Sequence, residues 1–124
     1  MARILVIDDD PDVRRALRKI LEAEGHQVLE AENGKEGIRL FRESPCDAVI
    51  TDLYMPEKEG LETIRELRKS YPDSKILAIT GAVPGSRFDL RQQATMLGAK
   101  RALSKPFSRE EVLEALAEVL GAAP

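Results

Sequence analysis

The chain is short of cysteine, of basic surplus and of long apolar runs, and each shortage excludes a class of protein. Its single cysteine, Cys46, cannot form an internal disulfide, which suits the reducing cytoplasm. A formal net charge of -3 and an isoelectric point near 5.3 argue against broad nucleic-acid binding, which needs a basic face. No apolar stretch approaches the roughly 20 residues needed to cross a bilayer, so no membrane association is expected. The first residues run straight into a candidate strand, so no secretory signal is expected either. No glycine-rich loop follows that strand, which disfavours a dinucleotide or flavin carrier. What remains is an ordinary globular balance, 43% hydrophobic and 33% charged. The 124 residues are expected to form one domain, 1–124, without linker, repeat or low-complexity segment.

Residues 3–8 read as a buried strand, too short and too β-branched for a helix. Asp10-Pro11 reads as an N-cap with proline at the first helical position. Val13, Ala16, Leu17, Ile20 and Leu21 then mark one helical face, which Gly25 closes. A strand is expected over 27–31. Asn33-Gly34 opens a second helix that ends at Ser44-Pro45, and a third strand covers 47–52. Met55-Pro56 and Gly60 read as a loop before a third helix carrying Leu61, Ile64 and Leu67, stopped by Pro72. The fourth strand is 76–80, and Gly81 to Gly85, with Pro84, reads as a loop. A fourth helix is expected from about Arg87 to Leu97, capped by Gly98, then a fifth strand over 101–104. Ser108 and Glu111 form a capping box for the last helix, whose stripe is Val112, Leu113, Leu116, Val119 and Leu120.

Five strand-then-helix units with short connections specify an α/β fold with a parallel sheet and helices on both faces. Ligands bind such sheets at the carboxyl ends of the strands. Here those ends carry Asp8, Asp9 and Asp10 after the first strand, Asp52 at the third, and Lys105-Pro106 after the fifth. Crowded carboxylates repel and tend to keep their protons unless a cation is shared among them. The pattern suits a hard metal ion and the handling of a phosphoryl group. Asp10 itself reads as the helix cap rather than a ligand, and His26 as a solvated residue beside Gly25.

Four segments together resemble the receiver domain of two-component response regulators. They are ILVIDDDP at 4–11, DAVITDLYMPEKEG at 47–60, ILAITG at 76–81 and GAKRALSKPF at 98–107. The resemblance spans residues 3–120 and implies a flavodoxin-like (βα)5 doubly wound sheet, in strand order 2-1-3-4-5. It implies that Asp52 accepts a phosphoryl group from a histidine kinase or a histidine phosphotransfer protein. It implies that Mg²⁺ is held by Asp9, Asp52 and the Tyr54 backbone carbonyl, with Asp8 reaching it through water. Lys105 and the Thr80 hydroxyl would meet the transferred group, and Lys105-Pro106 would be a cis peptide.

Three positions depart from the family pattern. Ala102 stands where an aromatic residue often sits, so a threonine-aromatic relay is not available. The signal is then expected to pass through backbone movement of the 81–85 loop and the helix after it. The stretch between Thr80 and Lys105 is longer than usual, with the extra residues in Ala82 to Ser86. Tyr54 sits two positions after Asp52, where a bulky phenol is expected to slow hydrolysis of the phosphoryl group. It also takes the place that phosphohydrolases of related chemistry give to a second aspartate, so the chain is not expected to be an enzyme beyond its own phosphorylation and dephosphorylation.

The resemblance further implies that phosphorylation reshapes the face of the fourth helix, fifth strand and last helix to control binding of a downstream protein. That face offers Arg87, Arg91 and Arg101 with Glu110, Glu114 and Glu118, charges that would serve a homodimer or stay solvated. Arg14, Arg15 and Arg18 on the first helix are expected to be exposed and to help dock the phosphodonor. The sequence ends one helix after Lys105, so it is expected to be either a stand-alone receiver, the favoured reading, or a domain excised from a longer regulator. The alternative is a degenerate receiver that keeps the fold as an interaction module and does not use phosphate.

Overall fold

The computed structural model describes residues 2–53, 59–81, 95 and 98–121. Five parallel strands form one sheet in the order β2-β1-β3-β4-β5: β1 Arg3–Ile7, β2 Gln27–Ala31, β3 Ala48–Asp52, β4 Ile76–Gly81 and β5 Arg101–Lys105. Four helices are described: α1 Pro11–Ala23, α2 Gly34–Glu43, α3 Glu59–Ser70 and α4 Arg109–Leu120. The expected helix from Arg87 to Leu97 falls almost wholly outside the described residues, as does the loop over 82–86. No helix among the described residues is long and apolar enough to cross a membrane.

The strands read as continuous apolar runs because both faces of the sheet are covered. Alternate residues Ile4, Val6, Ile50, Leu77, Ile79 and Leu103 meet Leu17 and Leu21 of α1 and Val112, Leu116 and Val119 of α4. Leu5, Ile7, Val49, Ile76 and Ala78 point the other way, against Ile38 and Phe41 of α2 and Ile64 and Leu67 of α3. Each fully buried Leu or Ile in these layers contributes about 1.5–3 kcal/mol. A one-residue slip of register would swap every strand's two sets of neighbours, so pairings such as Ile7 with Thr51 and Asp52 with Ile79 are firmly set.

Helix ends follow the local chemistry read from the sequence. Asp10 caps α1 by accepting from the Asp12 N–H at 2.9 Å, and Asn33 caps α2 by accepting from the Glu36 N–H at 2.8 Å. The Ser108–Glu111 capping box is present in both directions, at 3.1 and 3.0 Å. Gly25, just after α1, adopts positive φ as helix-ending glycines do, and Gly98 before β5 has positive φ too. At the far end of α4, Lys75 Nζ donates to the Leu120 carbonyl at 2.9 Å, satisfying one of the orphan acceptors of that terminus.

Several expectations need correction. Ala16 is exposed, because the stripe of α1 narrows to Leu17 and Leu21 with Val13 and Ile20 at its margins. His26 is half-buried, and its Nδ1 accepts the Ala2 N–H at 3.0 Å at the start of the β1–β2 pair. Gly60 lies inside the first turn of α3 rather than in a loop. Arg14 and Arg18 are not free docking groups: Glu30 of β2 holds both, at 3.2 and 2.6 Å. Arg101 pairs with Glu118 and Arg109 with Glu24, both within the chain. Cys46, by contrast, behaves as a small, half-buried hydrophobe: its Sγ lies 3.2 Å from the Ser44 carbonyl, and burial pushes the thiol up to about 11.

Candidate functional site

Three strand ends converge at the carboxyl edge of the sheet. β1 stops at Ile7, and Asp8 just beyond it turns its side chain into the site while its N–H donates to the Ala31 carbonyl of β2 at 3.1 Å. Asp52 is the last residue of β3 and Lys105 the last of β5. The expected cis peptide is present between Lys105 and Pro106. Lys105 Nζ lies 3.2 Å from Asp8 Oδ2 and 3.1 Å from Asp52 Oδ2. Asp8 and Asp52 are almost wholly buried, whereas Asp9 opens to solvent.

Asp8, Asp9 and Asp52 each offer a carboxylate oxygen, and the three oxygens lie within 4.8 Å of one another. Three carboxylates against one ammonium leave an excess of two negative charges at one point, which a divalent cation would balance. Burial is the main force pushing the Asp8 carboxyl up to about 6; the Asp10 N–H opposes it, Asp52 repulsion adds to it, and Lys105 attraction opposes it. For Lys105, burial works to lower the ammonium, but attraction to Asp52 and Asp8 outweighs it and the net direction is upward.

An all-oxygen set of this kind fits a hard cation such as Mg²⁺, which takes about six oxygens and keeps several waters. Both Asp8 oxygens are already in use, Oδ1 accepting the Asp10 N–H at 2.9 Å and Oδ2 facing Lys105. That leaves the exposed Asp9 carboxylate better disposed than Asp8 for direct ligation. The Tyr54 carbonyl, expected as a further ligand, lies outside the described residues. Thr80 sits near the end of β4, mostly buried, with its hydroxyl 3.4 Å from the Gly81 carbonyl. Gly81 stands opposite Lys105 in the ladder and Thr80 opposite Ser104, so the hydroxyl shares the same edge.

Two contributors escaped the sequence reading. Gly60 is one: a Cβ there would lie 2.4 Å from the Asp52 carbonyl oxygen, so only glycine lets α3 press against the end of β3. Arg14 is the other, since it reaches the Asp8 carbonyl at 2.6 Å. The signal for Arg14 was Glu30, an acid that follows Val28 and Leu29 near the end of β2.

A parallel α/β sheet with acids on two adjacent strand ends and a lysine on a third defines a class of metal- and phosphate-handling edge. The match to known proteins is narrower. Residues 4–117 match the family model of the response regulator receiver domain, and the chain belongs to that family. It is 38% identical over 120 residues to the protein PilH of Pseudomonas aeruginosa, covering 97% of this chain and 98% of PilH. It is 39% identical over 118 residues to the response regulator MprA of Mycolicibacterium vanbaalenii, covering 95% of this chain but 50% of that longer protein. Among solved structures it is similar to the response regulator TrrA of Thermotoga maritima in complex with Mg²⁺–BeF. That likeness has a TM-score of 0.81 at 37% identity, over 96% of this chain and 99% of TrrA.

Proposed function

We propose that this receiver domain accepts a phosphoryl group on Asp52 from a phosphohistidine of a histidine kinase or histidine phosphotransfer protein, in a Mg²⁺-dependent step. The observation that supports it most is the convergence of Asp8, Asp9, Asp52 and Lys105 on one pocket. An Asp52 carboxylate oxygen attacks the phosphorus, the new P–O bond replaces the P–N bond, and the departing imidazole takes up a proton. Bound Mg²⁺ supplies charge neutralisation to the phosphoryl oxygens. Asp9, Asp52 and the Tyr54 carbonyl would hold it, with Asp8 behind them. Lys105, now shared between Asp8 and Asp52, would turn its ammonium toward the transferred group. The Thr80 hydroxyl would donate to a phosphoryl oxygen.

On this reading the chain is a signalling module of the cytoplasm and not an enzyme with a diffusible substrate. Its phosphorylation shifts a two-state equilibrium that a downstream protein, or a second copy of the chain, reads on the side of β5 and α4. The TrrA complex, in which Mg²⁺ and BeF are bound to a similar protein, supports the metal requirement.

The test is incubation with acetyl phosphate and Mg²⁺, followed by intact-mass measurement of the wild type and Asp52→Asn. A metal-dependent phosphate adduct on the wild type, lost in the variant, is the expected result. A wild type that takes no adduct at any Mg²⁺ concentration overturns the reading and leaves the phosphate-independent interaction module in its place.

A further inference from the structure

Arg14 is an arginine that phosphoryl transfer does not call for, yet its side chain is only 17% exposed. Its Nη1 donates to the Asp8 backbone carbonyl at 2.6 Å, and its Nε donates to Glu30 Oε1 at 3.2 Å. Glu30 stands opposite Val6 in the β1–β2 ladder, and its other oxygen accepts from Arg18 Nε at 2.6 Å. The guanidinium therefore ties α1 to β2 and to the chain just past the end of β1.

The Asp8 carbonyl belongs to the peptide unit that joins Asp8 to Asp9. That unit is planar and stiff, so fixing its oxygen fixes the plane from which the Asp9 side chain departs. Asp8 is pinned at its other groups too: N–H to Ala31, Oδ1 to the Asp10 N–H, Oδ2 to Lys105. Of these four anchors, the carbonyl's is the one supplied by a side chain with no other part in the site. Arginine suits the task because its separated nitrogens serve two acceptors in a fixed plane, whereas a lysine offers one compact ammonium.

We infer that Arg14, oriented by Glu30, is a positioning residue that presents the Asp8–Asp9 carboxylates to a divalent cation without touching the cation or the phosphoryl group. The inference rests on the metal-dependent reading given above. Partners that orient metal ligands typically change affinity by about 10- to 100-fold when removed. Arg14→Met should therefore weaken Mg²⁺ binding about tenfold, with Arg14→Lys and Glu30→Gln in between. Arg18→Met loses the same glutamate without losing any contact to Asp8, and should stay within about twofold of the wild type.

The experiment is calorimetric titration of the full chain with Mg²⁺ alone, paired with acetyl phosphate labelling across a range of Mg²⁺ concentrations. For Arg14→Met, slow labelling at limiting Mg²⁺ should recover at saturating Mg²⁺; a variant that was merely poorly folded would stay low throughout. Should Arg14→Met not fold, Glu30→Gln and Arg14→Lys decide the same question. A wild type that neither binds Mg²⁺ nor takes the label overturns the parent reading and this inference with it. A wild type that does both, with the Arg14 variants binding Mg²⁺ equally well or Arg18→Met losing as much as Arg14→Met, overturns the positioning role alone.

Discussion

Lys105 Nζ stands 3.1 Å from Asp52 Oδ2 across the width of β4, joining the ends of β3 and β5 through the pocket. The same ammonium reaches Asp8, so one cation offsets two buried carboxylates. Removing one partner of a buried ion pair strands the other charges, at a cost of about 3–5 kcal/mol. Lys105→Met should therefore destabilise the metal-free protein by a few kcal/mol at pH 8. The loss should be smaller at pH 5, where Asp8 takes up a proton. Urea denaturation in EDTA at both pH values checks this, and added Mg²⁺ should restore part of the lost stability at pH 8. Equal losses at the two pH values would show that the ammonium contributes packing and not charge.

Asp8 gives the site a pH dependence of its own. Its carboxyl rises from 3.8 to about 6, first because it is buried and further because Asp52 repels its charge, against the opposing Asp10 N–H and Lys105. Between about pH 4 and pH 6 the folded chain then binds more protons than the unfolded chain at this residue, so its contribution to stability falls as pH rises. Asp8→Asn removes that loss. On going from pH 4 to pH 7 without metal, the wild type should lose on the order of 2–3 kcal/mol relative to Asp8→Asn. Mg²⁺ favours the ionised carboxylate and should flatten the difference. Lys105 has the opposite sign: with its ammonium raised, its contribution is whole below its unfolded value and is lost as pH climbs through the folded one.

Two glycines separate steric necessity from tolerance. At Gly60 an added Cβ would sit 2.4 Å from the Asp52 carbonyl oxygen and 2.6 Å from Leu53 Cα, and backbone cannot yield without moving α3 off β3. At Gly37 the nearest atoms are Ile7 Cδ1 at 2.3 Å and Cγ1 at 2.8 Å, side-chain rather than backbone atoms, although Ile7 is itself buried and has to shift. Gly60→Ala should cost about 1–3 kcal/mol, as overpacking does. Gly37→Ala should cost less than Gly60→Ala, since a side chain yields more readily than backbone and alanine's helix propensity offsets part of the strain. Chemical denaturation of the two variants checks the contrast, and only Gly60→Ala should also weaken Mg²⁺ binding. If Gly37→Ala were the costlier change, Ile7 would be held more rigidly than its rotamers allow.

The strands declared themselves because both faces of the sheet are buried, and the caps because Asp10-Pro11, Asn33-Gly34 and Ser108–Glu111 are local signals. The acidic residues and Lys105 could be placed together once the strands were parallel, because their position at strand ends followed from the topology. Contacts set by three-dimensional approach were not legible. Gly60 read as loop punctuation, since nothing local says that a helix turn will touch Asp52. Arg14 and Arg18 read as exposed, since their partner Glu30 lies on another element. His26 read as solvated for the same reason: its bond to Ala2 spans 24 residues of sequence.

Asp10 and Asp9 are adjacent acids with different tasks, and the difference can be measured. The Asp10 side chain accepts from the Asp12 N–H at 2.9 Å in an extended cap conformation, and its negative charge suits the helix N-terminus. What Asp10 gives the pocket is its backbone N–H, which donates to Asp8 Oδ1 and survives any side-chain change. Asp10→Ala should therefore cost about 1 kcal/mol through loss of the cap, while Asp10→Asn stays near the wild type. Neither should change Mg²⁺ affinity by more than about twofold, because the pocket keeps its carboxylates. Asp9→Asn should do the reverse, leaving stability close to unchanged and weakening Mg²⁺ binding by about tenfold or more. Thermal melts and Mg²⁺ titration of the three variants check both halves. If Asp10→Ala lost as much Mg²⁺ affinity as Asp9→Asn, the side chain assigned to the helix cap would belong to the metal site instead.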